Sequence, residues 1–186
     1  FLPDYEIREW NEGNFDVNII PYTTEAYRQK KYAFVSDYAR FWILHKYGGL
    51  YFDTDVEVIR PIDDIIERGP FMGFETDPDG ENSPLKYAPR YAFGINSGLG
   101  CGFTQGHPFL RDMMELYENL TFEKTEMAPT LKTVVAHTTD MLMHYGLQEK
   151  KGIQHLENIT LYPHEYFAPI NVISGRLHIT TNTRTI

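Results

Sequence analysis

One cysteine, Cys101, is the only thiol in the 186 residues. That excludes an internal disulfide framework and zinc-finger spacing, and it fits a reducing compartment without establishing one. Basic residues are in deficit, 17 Lys and Arg against 26 Asp and Glu, for a formal net charge of -9. A nucleic-acid partner needs a basic footprint, so no nucleic acid is expected. No apolar run reaches the length that spans a bilayer, and no signal peptide is visible. The histidines at 45, 107, 137, 144, 155, 164 and 178 show no metal-ligand spacing, and no internal repeat or low-complexity tract stands out.

What is present describes an ordinary globular chain with enough residues for one core, 42% hydrophobic and 23% charged. Aromatics at 15% suit a Tyr-rich core and suit sugar- or nucleotide-facing surfaces equally. The chain starts at Phe1 without a methionine and stops at "TNTRTI" without an evident closing element. It reads as a single domain over 1–186, cut from something longer at both ends.

The patterning predicts a short strand over 4–12 and then one long helix from Thr23 or Thr24 to Tyr47, ended by Gly48 and Gly49. The second half of that helix is apolar almost all round, which marks it as buried. A strand over Leu50 to Asp53 follows, then a second near Val56 to Ile59, a short helix in "RPIDDIIERG", and a buried strand in "PFMGFET". Residues 77–91 are polar and hold three prolines, which predicts a loop. "INSGLGCGF" reads as a small-residue strand or turn region, "GHPFLRDMMELYENL" and "APTLKTVVAHTTDMLMHYG" as amphipathic helices, and "NITLYP" as a strand. Strands alternating with helices indicate a layered α/β domain.

Two D-x-D triplets occur, Asp53-Thr54-Asp55 and Asp77-Pro78-Asp79. The second opens like a calcium loop, but Lys86 stands where that loop needs a bidentate Glu, so it reads as an acidic turn. The first follows a strand predicted to be buried, and open α/β sheets bind ligands beyond the carboxyl ends of strands. Oxygen-only ligands there suit a hard cation such as Mg²⁺ or Mn²⁺, although an acidic turn fits the triplet alone just as well. The preceding helix supplies "SDYAR", with Asp37 and Arg40 at i and i+3 on an otherwise apolar face. Burying either charge alone is costly, so they form an internal ion pair or line a polar crevice. Gly48-Gly49 lets the chain reverse so that both pairs of side chains converge.

The run "SDYARFWILHKYGGLYFDTDVEVIRPID" resembles the sugar-binding D-x-D region of glycosyltransferase family 32. That family includes bacterial capsular polysaccharide transferases and fungal initiating mannosyltransferases, and the clostridial glucosylating toxins look like distant relatives. "EIREWNEGNFD" and "LYPHEYFAP" extend the likeness weakly over most of the chain. The resemblance implies a GT-A fold, a Rossmann-like domain with a mixed central sheet flanked by helices. It implies metal-dependent transfer from a UDP- or GDP-sugar to a glycan or lipid-linked acceptor, with retention at the anomeric carbon.

By the same resemblance, Asp37 and Arg40 contact the donor's sugar and ribose region and Asp55 ligates Mn²⁺ or Mg²⁺. Asp53 touches ribose, sugar or metal-bound water. Tyr51 stands beside them or simply packs, and Asn96 faces the sugar. A bacterial protein would work in the cytoplasm at the membrane's inner face, a eukaryotic one in the Golgi lumen. Relatives begin with an I-P-K-x-I-H strand and continue into a His/Trp-containing segment, neither present here, and they often carry Gly where Ala128 stands.

Two rivals remain. "LYFDTDVEV" also fits the aspartyl-phosphate signature of haloacid dehalogenase-like phosphatases, with Asp53 as nucleophile, but the later G-D-x-x-x-D is missing. A sugar-nucleotide or glycan-binding module without turnover is the other. Cys101 reads as merely buried, and "NLT" and "NIT" match glycosylation sequons.

Overall fold

Helices and strands alternate through this computed structural model, which describes residues 1–78, 93–122, 132–171 and 174–186. In chain order they are α1 (Pro21–Arg28), α2 (Tyr32–Tyr47), β1 (Gly49–Tyr51), α3 (Asp63–Ile66), β2 (Phe71–Thr76) and β3 (Gly94–Asn96). There follow β4 (Cys101–Phe103), α4 (Pro108–Glu118), α5 (Val134–His144), β5 (Gln154–His155), β6 (Thr160–Tyr162) and α6 (His164–Phe167). The strands form one mixed sheet in the order β1-β4-β2-β6-β5, with β3 also on β2. β2 and β6 are parallel, and the other pairings are antiparallel. The expected mixed sheet flanked by helices is what forms.

Side-chain alternation explains the layering. Along β2, Met72 and Phe74 enter the large core with Phe41 and Leu44 of α2 and Leu110 and Met113 of α4. Phe71 faces the other way, into a smaller cluster with Ile62, Ile65, Tyr162 and Phe167 under α3 and α6. Gly73 shares that face, and an added Cβ there would lie 2.6 Å from the Phe167 ring. The register also fixes direction: β1, β2 and β6 all run one way, so Asp53, Asp77 and Pro163 follow strands ending at one edge of the sheet.

The single long helix predicted over 23–47 is two. Lys30 takes the left-handed conformation at φ 56°. The Lys30 and Lys31 N–H groups donate back to the Tyr27 and Ala26 carbonyls, closing α1 with the hydrogen-bond pattern usual for glycine. The start also differs: Pro21 opens α1, and Thr23 sits inside the first turn, its hydroxyl donating to the Ile20 carbonyl at 3.0 Å.

Residues 4–12 form no strand. Ile7 is 94% exposed, and the segment is held instead by Trp10, whose ring meets Trp42 edge-on at 6.3 Å and Tyr47 at 5.4 Å. β1 is an edge strand with half-exposed side chains, so the D-x-D does not follow a buried strand as expected. Over 56–59 the predicted strand reduces to one bridge, Val58 to Thr185. It is flanked by Glu57–Ile186 and Ile59–Arg184 backbone hydrogen bonds. The "TNTRTI" stretch is thus packed, with Thr183 and Thr185 fully buried. Most of the loop predicted at 77–91, and Ala128, lie outside the described residues. Among the described residues no helix is long and apolar enough to cross a membrane.

The turn after α2 depends on Gly48, which sits at φ 68° where an added Cβ would lie 2.8 Å from the Gln105 backbone nitrogen. Gly48→Ala therefore combines strain with a backbone clash and should destabilise the fold by about 2 kcal/mol. Urea denaturation reads this directly, and an unchanged midpoint would show that the turn adjusts freely.

Candidate active site

Arg40 lies in the middle of the buried half of α2 and is 3% exposed. A guanidinium so placed needs partners, and it finds them on three elements. Nη2 lies 3.1 Å from Asp37 Oδ1 on the same helix face and 3.3 Å from Asp53 Oδ1 beyond the end of β1. Nη1 donates to Ser97 Oγ at 3.5 Å, and Nε donates to the Ser36 carbonyl at 3.2 Å. The Tyr51 ring lies under the guanidinium carbon at 4.9 Å, within cation–π range. Burial disfavours the Arg40 charge, but Tyr51, Asp37 and Asp53 outweigh it and hold its pKa above the usual value.

Alternation along β1 puts Tyr51 and Asp53 on the side facing α2. The Tyr51 hydroxyl donates to Asp53 Oδ1 at 2.9 Å, and the ring also packs against the large core. The Asp53 N–H donates to the Gly98 carbonyl at 2.8 Å. Gly98 has no side chain for a steric reason: a Cβ there would sit 1.9 Å from Asp53 Oδ2 and 2.9 Å from Arg40 Nη1.

Asp37, Arg40, Tyr51 and Asp53 thus converge, and Asp55 does not join them. It is exposed on the turn after β1, and its side chain makes no hydrogen bond or ion pair among the described residues. Asn96 is committed to structure: its Oδ1 accepts from the Gly98 N–H at 2.8 Å and its Nδ2 donates to Glu75 Oε1 at 3.1 Å. Ser36, Ser97 and Gly98 were not singled out from the sequence, and Glu75 stood out there only as part of the calcium-loop-like acidic turn. Ser36 and Gly98 stand inside motifs quoted above, but nothing local marks which small residues meet an arginine from another element.

Asp53 Oδ1 is taken up by Arg40 and Tyr51, while Oδ2 faces Gly98 and makes no hydrogen bond or ion pair among the described residues. Asp53 Oδ2 and the exposed Asp55 carboxylate are oxygens without a partner here, and oxygen-only ligands are the type that suits a hard cation such as Mn²⁺ or Mg²⁺. Among the described residues no group of three or more His, Cys, Asp or Glu could hold a metal alone. Such an ion would need oxygens from water and ligand to complete its shell.

Burial pushes the Asp37 carboxyl up to about 6, with Arg40 opposing and Asp53 adding to the rise. Cys101 is fully buried, and burial pushes its thiol up to about 12, which makes it unreactive. The second D-x-D does structural work: Asp77 accepts from the His164 N–H at 2.9 Å and pairs with His164 Nδ1 at 2.7 Å, capping α6. Asp79 lies outside the described residues.

Because the folded state raises the Asp37 pKa above its ordinary value, its contribution to stability is complete below about pH 4 and is lost as pH rises through about 6. Asp37→Asn cannot ionise, so its urea midpoint should lose less than the wild type's between pH 4 and pH 7. Parallel profiles would contradict the burial. Gly98→Ala should push Asp53 off Arg40 and destabilise the fold by about 1–3 kcal/mol. A crystal structure of that variant with Asp53 in place would refute the steric reading.

The family model described as "Glycosyltransferase sugar-binding region containing DXD motif" matches residues 1–72. Over 163 residues the chain is 26% identical to an initiation-specific alpha-1,6-mannosyltransferase of Candida albicans, covering 77% of this chain and 40% of that protein. It is 28% identical over 124 residues to inositol phosphoceramide mannosyltransferase 3 of Schizosaccharomyces pombe, covering 64% of this chain and 30% of that protein. With a human alpha-1,4-N-acetylglucosaminyltransferase it shares 39% identity over 80 residues, which is 43% of this chain and 18% of that protein. The chain therefore spans well under half the length of these curated relatives. No solved structure matches it. The matched residues, 1–72, end inside β2 and carry Asp37, Arg40, Tyr51, Asp53 and Asp55, so the similarity to a DXD-containing sugar-binding region falls on the residues of this site.

Proposed function

We propose that this chain belongs to a catalytic domain that moves a hexosyl group from a UDP- or GDP-sugar to a hydroxyl of a glycan or lipid-linked acceptor. The observation that carries this reading is the buried Arg40 clamp on Asp37 and Asp53, with the exposed Asp55 two residues beyond. Supporting it is a cavity of about 430 Å³ walled by Trp10, Tyr27, Tyr32 and Val35, which also reaches Ser36. Ser36 is itself a partner of Arg40, so the aromatic cavity adjoins the clamp. Flat aromatic walls suit a nucleoside, and the polar clamp beside them suits its sugar diphosphate.

In the reaction the bond between the anomeric carbon and a diphosphate oxygen breaks, and a bond to the acceptor oxygen forms. The leaving diphosphate gains negative charge in an already acidic region. A divalent ion, Mn²⁺ or Mg²⁺, supplies the neutralising charge when bound, with Asp55 as its protein ligand. Arg40, held by Asp37, Asp53 and Ser97, fixes the two carboxylates and places its positive charge beside the donor. Asp37 and Asp53 orient sugar and ribose hydroxyls, a positioning effect. Asp37, its carboxyl pushed up to about 6 by burial, is half protonated at that pH, so donor binding weakens as pH falls through it. Retention at the anomeric carbon, with the departing phosphate taking the acceptor's proton, completes the reading. The relatives named above are fungal and human, and on a eukaryotic reading the setting is the Golgi lumen.

Calorimetry with UDP- and GDP-sugars, with and without Mn²⁺, tests this. Asp55→Ala should abolish metal-dependent donor binding while leaving the thermal midpoint within about 1 °C, since the side chain is exposed. Unchanged Mn²⁺-dependent affinity would refute the assignment. Donor binding without turnover by the wild type would point to a binding module.

A further inference from the structure

We propose that Glu75 is the positioning residue that fixes the Asn96 amide and, through it, the 96–98 turn on which Asp53 and Arg40 are seated. The kinetic part of this inference rests on the transferase reading above; the structural part does not. Glu75 lies where the β2–β3 register shifts, Phe74 facing Ile95 while Thr76 faces Gly94, so it is the extra residue of a bulge. Bulges recur beside active sites because they re-aim a side chain. Here the re-aimed carboxylate accepts from Asn96 Nδ2 at 3.1 Å.

A carboxylate can only accept, so it dictates which end of the amide it meets. The amide nitrogen turns to Glu75, and the oxygen turns to the Gly98 N–H at 2.8 Å. The Gly98 carbonyl then receives the Asp53 N–H at 2.8 Å, and neighbouring Ser97 receives Arg40 Nη1. The bonds therefore run from a bulge in the central strand, through one amide, to the backbone of the first D-x-D aspartate. Without Glu75 the amide could rotate, and its NH₂ would then confront the Gly98 N–H, donor against donor.

Amide hydrogen exchange and donor-hydrolysis kinetics on four variants decide the matter. Glu75→Ala should speed exchange at the Gly98 N–H about tenfold, the worth of one hydrogen bond, and lower kcat more than it changes KM. Glu75→Gln should leave both near wild type, because its amide oxygen accepts the same bond. Asn96→Asp sets carboxylate against carboxylate and should behave like Glu75→Ala. Adding Glu75→Gln to Asn96→Asp should restore slow exchange, because the glutamine then donates.

Unchanged exchange in Glu75→Ala would overturn the proposal. So would a Glu75→Gln enzyme as impaired as Glu75→Ala with exchange unmoved, since that marks direct substrate contact. If the wild type binds and hydrolyses no donor, the transferase reading fails, while the exchange data still decide the role of Glu75.

Discussion

A guanidinium out of water is the constraint from which the rest of this site follows. Arg40 cannot be buried in α2 unless negative charge and hydrogen-bond acceptors reach it from other elements. Asp37 comes from the same helix face, Asp53 from the end of β1, and Ser97 from the turn after β3. Bringing β1 back against α2 demands the reversal at Gly48 and Gly49, both at positive φ. Bringing the 96–98 turn close demands that Gly98 have no side chain. Within "INSGLGCG", Gly98 is the steric counterpart of the buried arginine and its aspartate, while Gly100 and Gly102 leave room for Phe52 and Phe71.

The charges left over explain why such a cluster suits a sugar diphosphate. One cation serves two carboxylates, and Asp55 adds a third just outside the ion pair. Burial makes Asp37 reluctant to ionise, and the surplus of acid gives the edge an affinity for added positive charge. A metal ion arriving with a diphosphate, as proposed above, would satisfy both. The two D-x-D triplets make the contrast plain. Asp53 and Asp55 divide between arginine clamp and open solvent, whereas Asp77 turns both oxygens to His164 and the cap of α6. The same letters serve different ends because their neighbours differ.

Much of the fold could be read from local pattern. α3, α4, α5, β2 and β6 all form within the segments where hydrophobic period and turn residues place them. The break between α1 and α2 could not, because a lysine rather than a glycine or proline adopts the left-handed position. Residues 4–12 show an alternation that suggests a strand, yet Trp10 docking on Trp42 and Tyr47 decides their course. In the site, Asp37 and Arg40 stood out because a charge on an apolar helix face must be answered, Asp53 because of its D-x-D triplet, and Tyr51 only through the family resemblance. Glu75 and Ser97 did not, since each acquires its meaning from a residue on another element.

By itself, then, the sequence determined which helix is buried, that its Asp-Arg pair needs partners, and that a tight glycine turn brings an acidic doublet near it. Those follow from periodicity and from the cost of removing charge from water, both of which act over a few residues. Only the tertiary structure decided that Asp53 enters the clamp while Asp55 stays outside. It alone decided that β1 is an edge, that 57–59 pairs with 184–186, and that a bulge aims Glu75 at Asn96. Strand order and register are set by contacts between segments far apart in the chain, and no local pattern encodes which distant backbone will supply the matching donor or acceptor.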